Sequence, residues 1–311
     1  MNPEATLFCS HYSKSVGEPL FGTAPRTDVW ILIEYPFAYA AKAFEDCDLS
    51  EPVKNHLGAF QQNIPNSRLL FIKKQSDQKE RNSHLFLAVS NEANPRMHRF
   101  ELKTYKDILT LDFSAIVDDA AIYSGNRYLK PVFLVCTHGK RDRCCAKYGL
   151  PLYENLSNLA PETTWQSSHV GGHRFAPNVI YLPSGIYYGR FTGEEAGRLA
   201  ASANAGKILI DHYRGRACYP PEVQAAEFYL RSQTGIDADN AYHLIETSST
   251  QKDIWKVAFK TNTGSINLVQ ISTELSEYAI IEGCNLPEKR NPQPIYHLMD
   301  IKHFESREGQ Y

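Results

Sequence analysis

Two short segments constrain this chain more than anything else in it: CTHGKRDRCC at residues 136–145 and HVGGH at residues 169–173. They set two cysteines at a C-x8-C spacing and two histidines at H-x3-H. Thiolate plus imidazole in so short a window is the ligand set of zinc, or of an iron–sulfur cluster with mixed Cys/His ligation. Histidines at i and i+4 usually mark one face of a helix, but Gly171 and Gly172 between them disfavour a helix. The expectation is a loop whose backbone can approach a bulky ligand closely.

The surroundings of the ligand segments support a site. Residues 131–135 (PVFLV) read as a buried strand, and Cys136 follows where that strand opens into a charged loop. C-x8-C is not one of the short zinc-finger spacings. Cys144 beside Cys145 keeps a C-x7-C alternative open, and a disulfide between these neighbours would be strained.

Further strands are expected at 29–34, 68–73, 84–89 and 97–102, with a helix at 51–62 and a polar turn at SDQKERNS. These make an N-terminal α/β region, residues 1–120. A second region, 121–235, continues from the ligand loop into a helix at 145–160, where Gly149 and Pro151 argue for a break or a late start. A strand at 164–168 then leads into HVGGH. A hairpin follows across Pro183-Ser184-Gly185, then a helix at 194–205 and another that Pro220-Pro221 starts, through about Ser232. Residues 236–311 form a small antiparallel β extension, with three strands between 242 and 271 and a turn at Asn262-Thr263-Gly264. The stretch after Leu286, rich in Pro, Asn and charge, reads as an ordered wrap or a frayed end.

The quoted segments sit in longer strings: VCTHGKRDRCCAKYGLPLY from Val135 and SSHVGGHRFAPNVIYLPSG from Ser167. With GEPLFGTAP at 17–25 and YRGRACYPPEVQAAE from Tyr213, the chain resembles the sucrase/ferredoxin-like family. The resemblance spans roughly residues 9–290. It implies a thioredoxin-like ferredoxin domain and a [2Fe-2S] cluster held by Cys136, Cys145, His169 and His173. Cys144 stands where the family more often has a different residue. Without the resemblance, the order of elements supports only an α/β class. No residue pattern supports sugar hydrolysis, despite the family's name.

Bulk properties narrow the function further. The formal charge of −2 disfavours nucleic acid or an anionic membrane as partner, and no apolar run is long enough to cross a bilayer. Seven cysteines without a framework spacing, and no secretory signal pattern, point to reduced thiols in the cytoplasm. Lys140, Arg141, Arg143, Lys147 and Arg174 crowd the ligand segments and suit an acidic redox partner. Asp142 is placed to pair with Arg141 or a nearby amide, and His138 reads as an exposed loop histidine. Cys9 and His11 carry only a weak metal signal, and Cys218 and Cys284 read as packing cysteines. No C-x-x-C, P-loop, dinucleotide or nucleophile-elbow pattern occurs. The expectation is an electron carrier or redox sensor rather than a catalyst. The rival is an interaction protein with structural zinc on the same four ligands.

Overall fold

The computed structural model describes residues 8–75 and 82–305, so most of the expected SDQKERNS turn lies outside the described residues. In chain order the elements are α1 (Cys9–Ser15), β1 (Val29–Glu34), α2 (Glu51–Asn63), β2 (Ser67–Lys73), β3 (Ser83–Val89), β4 (Arg96–Leu102) and α3 (Phe113–Val117). Then come β5 (Val132–Cys136), α4 (Arg143–Leu159), β6 (Thr164–Ser167), β7 (Val179–Leu182), β8 (Ile186–Tyr188), α5 (Ala196–Asn204), β9 (Tyr213–Arg216) and α6 (Pro221–Thr234). The chain closes with β10 (Tyr242–Gln251), β11 (Ile254–Thr261), β12 (Ile266–Gly283) and β13 (Leu286–Phe304).

Nine strands form one sheet, in the order β4-β3-β1-β2-β6-β5-β7-β8-β9. Its two halves follow the same course. β1 and β5 are each joined through a helix to a parallel partner, β2 and β6. Each then takes an antiparallel neighbour on its other side, β3 and β7, which pairs with β4 and β8 in turn. β2 and β6 meet antiparallel through Ile72↔Ser167 and Lys73↔Gln166. The two units are thus related by an approximate two-fold axis through the sheet. The regions read as 1–120 and 121–235 share this one sheet.

The burial of β1 explains its unbroken apolar run. Ile31 and Ile33 pack with Val53, Leu57 and Phe60 of α2, while Trp30 and Leu32 face the opposite side. A strand covered on both faces carries apolar residues at every position. β5 repeats the arrangement: Phe133 and Val135 pack with Leu152 and Leu156 of α4, and Leu134 faces Trp30 and Trp165 on the shared side.

Two expectations are corrected. α4 runs unbroken from Arg143 to Leu159 through Pro151. Pro151 is exposed, so the lost donor leaves the Lys147 carbonyl on the solvent side, where water can replace it. Gly149 has a packing role: a Cβ there would lie 2.1 Å from the Cys136 carbonyl oxygen. The stretch after Leu286 is a strand, β13, at the edge of a second sheet ordered β10-β11-β12-β13. Pro292 and Pro294 are tolerated there because an edge strand has one unpaired side, and the ladder breaks register between Leu275 and Ala279.

His98 on β4 is wholly buried, and burial lowers its pKa below the usual 6.5. The unfolded chain therefore takes up this proton first. Stability is complete above pH 6.5 and declines as pH falls through that value toward the folded one. Urea midpoints at pH 7.5 and 5.5 should show a drop that is smaller in His98→Leu. A drop of equal size in both proteins contradicts the assignment.

Candidate metal centre

The site forms where β5, α4 and the loop after β6 meet. Cys136 is the last residue of β5, and Cys145 lies in the first turn of α4. Both are 1% exposed. His169 lies two residues past the end of β6. Its Nδ1 is 3.6 Å from Cys145 Sγ and 4.0 Å from Cys136 Sγ. All three donor atoms lie within 4.8 Å of one another. A hydrogen bond from the Cys145 thiol holds the Cys136 pKa well below the usual thiol range and raises that of Cys145.

HVGGH is a loop, as its glycines require. Gly171 and Gly172 take φ of 93° and 70°, and a short 3-10 turn spans His173–Phe175. Any side chain at residue 172 would collide with Arg214, because a Cβ would lie 2.5 Å from Arg214 Nη2. Arg214 is buried and pins the loop from beneath. It donates to Gly171 O at 3.3 Å, Asn178 Oδ1 at 2.7 Å and Thr23 O at 2.6 Å. Burial pushes its pKa down to about 9. Asn178 Nδ2 completes the brace by donating to Gly172 O at 2.9 Å.

His138 is not exposed. It is 2% accessible, its ring Nδ1 accepts the His169 amide at 3.2 Å, and its Nε2 meets Ala40 O at 2.7 Å. The tautomer that satisfies both contacts carries its proton on Nε2. His138 thus fixes the backbone of His169, and its own pKa is lowered by burial.

The fourth expected ligand, His173, stands apart from the other three. Its ring centroid is 5.5 Å from that of His169, but its Nδ1 points to Cys9 Sγ at 3.2 Å. Cys144 also turns away from Cys136. Its Sγ lies 3.5 Å from Cys9 Sγ and 3.3 Å from Cys284 Sγ. The vicinal cysteines thus serve two separate groups. Asp142 caps α4, accepting the Cys144 amide at 2.8 Å, and also accepts the Cys284 amide at 2.8 Å. It does not rely on Arg141. Of the basic residues, Lys140, Arg141, Arg143 and Lys147 are exposed, whereas Arg174 pairs with buried Glu18 at 2.7 Å.

A family profile described as Sucrase/ferredoxin-like matches residues 20–215. The chain belongs to that family. It is also similar to proteins named Altered inheritance of mitochondria protein 32. The Meyerozyma guilliermondii protein is 34% identical over 93 residues, covering 26% of this chain and 33% of that protein. The Debaryomyces hansenii protein is 35% identical over 97 residues, covering 28% and 36%. One from Saccharomyces cerevisiae (strain YJM789) is 30% identical over 107 residues, covering 30% and 34%. The matched stretch thus spans about a third of these relatives' length. No solved structure matches the chain. Among the described residues, no helix is long and apolar enough to cross a membrane.

Proposed function

We propose that this sucrase/ferredoxin-like chain binds a [2Fe-2S] cluster through Cys136, Cys145, His169 and His173, and works as an electron carrier or redox sensor. The observation that carries this reading is the close group of buried Cys136 and Cys145 with half-buried His169, and the His173 ring 5.5 Å from that of His169. The donor set fits: two thiols from one strand–helix junction, and two imidazoles from one braced loop. Such a cluster supplies one-electron transfer, and imidazole in place of two thiolates moves its potential toward roughly −150 to +300 mV from ~−400 mV.

The chain's own contribution is positioning and shielding. The end of β5 and the first turn of α4 set the Cys136 and Cys145 thiols side by side, both shielded from solvent. His138 and Arg214 hold the histidine loop in place without being donors themselves. For His173 to join His169, its ring must turn from Cys9. The course β5-α4-β6-β7-β8-α5 supports a thioredoxin-like reading of this half. The exposed Lys140, Arg141, Arg143 and Lys147 suit an acidic partner protein. Seven free thiols support a reducing setting, for which we infer the cytoplasm.

A redox titration followed by visible absorption tests the ligand set. The expected midpoint lies well above ~−400 mV, the all-cysteine value. A midpoint at or below that value contradicts histidine ligation.

A further inference from the structure

A second group of thiol and carboxylate side chains, close enough together to hold a metal ion, lies beside the first and shares none of its three donors. Cys9 opens α1, Cys144 lies in α4, and Cys284 sits in the turn between β12 and β13. Their sulfurs form a near-equilateral triangle: 3.5 Å from Cys9 to Cys144, 3.3 Å from Cys144 to Cys284 and 3.5 Å from Cys284 to Cys9. The three residues are 1%, 0% and 6% exposed. The Asp142 carboxylate, 1% exposed, stands over one corner with Oδ1 3.8 Å from Cys9 Sγ.

Simple packing does not account for this arrangement. A cysteine acting as a small hydrophobe sets its sulfur against carbon. Here three sulfurs from three distant parts of the chain converge on each other and on a buried carboxylate. The separations exceed the ~2.05 Å of a disulfide, and a triangle of thiols cannot all be paired. They approach the geometry of a metal site. Tetrahedral zinc with Zn–S of ~2.3 Å spaces its sulfurs ~3.8 Å apart, a few tenths of an ångström wider than this triangle.

We propose that Cys9, Cys144 and Cys284 form a zinc site, with the Asp142 carboxylate at the fourth position, distinct from the site of Cys136, Cys145 and His169. Three thiols and a carboxylate are a soft, anionic donor set that selects zinc over hard cations. Asp142 also orders the site before metal arrives, by accepting the amides of both Cys144 and Cys284. Positive charge stands close by: Arg143 donates to Cys284 O at 3.3 Å. Bound zinc would clasp the N-terminal helix and the β12–β13 turn onto the start of α4.

The test measures zinc and iron separately in the full chain. Wild-type protein from zinc-supplemented, iron-replete cells should hold about one zinc per chain. Cys9→Ser and Cys284→Ser should lose zinc, and Cys136→Ser should retain it. Circular dichroism checks that each variant is folded. As a second measurement that needs no substitution in the triangle, cobalt added to metal-stripped Cys136→Ser protein should give the visible bands of a tetrahedral thiolate complex. Three results overturn the proposal: zinc at trace levels in wild type with no cobalt bands, zinc retained in both Cys9→Ser and Cys284→Ser, or zinc lost in folded Cys136→Ser. The proposal does not rest on the [2Fe-2S] reading, because iron reports on one group and zinc on the other.

Discussion

Cys145→Ser protein is expected to purify without visible colour, and Cys144→Ser protein is expected to keep its spectrum. Cys145 Sγ belongs to one group with Cys136 and His169, whereas Cys144 Sγ turns to Cys9 and Cys284. Even the loss of an outer-sphere partner commonly weakens metal binding ~10-fold or more, so loss of a direct thiolate should weaken cluster binding at least that far and lower the iron per chain. Cys136→Ser should behave like Cys145→Ser. The measurement is visible absorbance with iron per chain, for all three variants prepared in parallel. A colourless Cys144→Ser beside a coloured Cys145→Ser would place the second thiolate at residue 144, at a C-x7-C spacing.

Gly149→Ala is expected to be the most damaging small substitution near the site. Its Cβ would lie 2.1 Å from the Cys136 carbonyl oxygen, which is backbone and cannot rotate away. Either α4 or the end of β5 must move, and both carry a cysteine of the site. Forced overpacking of this kind costs on the order of 3 kcal/mol. Gly58→Ala in α2 is the control: nothing lies within 4 Å of its Cβ, and helix propensity favours alanine by ~1 kcal/mol. Urea midpoints should therefore fall for Gly149→Ala and hold or rise for Gly58→Ala. A Gly149→Ala protein with wild-type stability and iron content contradicts the close docking of α4 on β5.

Much of this was legible in the sequence because the signals are local. β1 and β5 announce themselves as unbroken apolar runs, since each is covered on both faces. The loop character of HVGGH follows from two adjacent glycines, which take positive φ and face the Arg214 guanidinium and the side chain of Pro25. Other features depend on partners that no local pattern names. Pro151 reads as a helix breaker until its exposed side is known. β13 reads as a tail because an edge strand tolerates the prolines and charge that a central strand rejects. The two-fold course of the nine-stranded sheet lies in the pairing of β2 with β6, two contacts that leave no mark on composition.

The second cysteine group marks the limit most clearly. Cys9 and Cys284 are separated by 275 positions, and neither sits in a ligand-like spacing. Read alone, Cys284 is a packing cysteine and Cys9 carries only a weak metal signal beside His11. Cys144 offered a further hint, as a thiol beside the better-placed Cys145. His138 likewise looked exposed because its neighbours are polar, yet it is buried beneath the His169 backbone, where its ring accepts an amide.

The most direct test is a visible spectrum of freshly purified protein from iron-replete cells, with iron, inorganic sulfide and zinc measured on the same sample. The account predicts a brown-red protein with about two irons and two sulfides per chain, lost together in Cys136→Ser. A colourless, iron-free protein whose zinc disappears in Cys136→Ser would contradict it, and would assign Cys136, Cys145 and His169 to structural zinc instead.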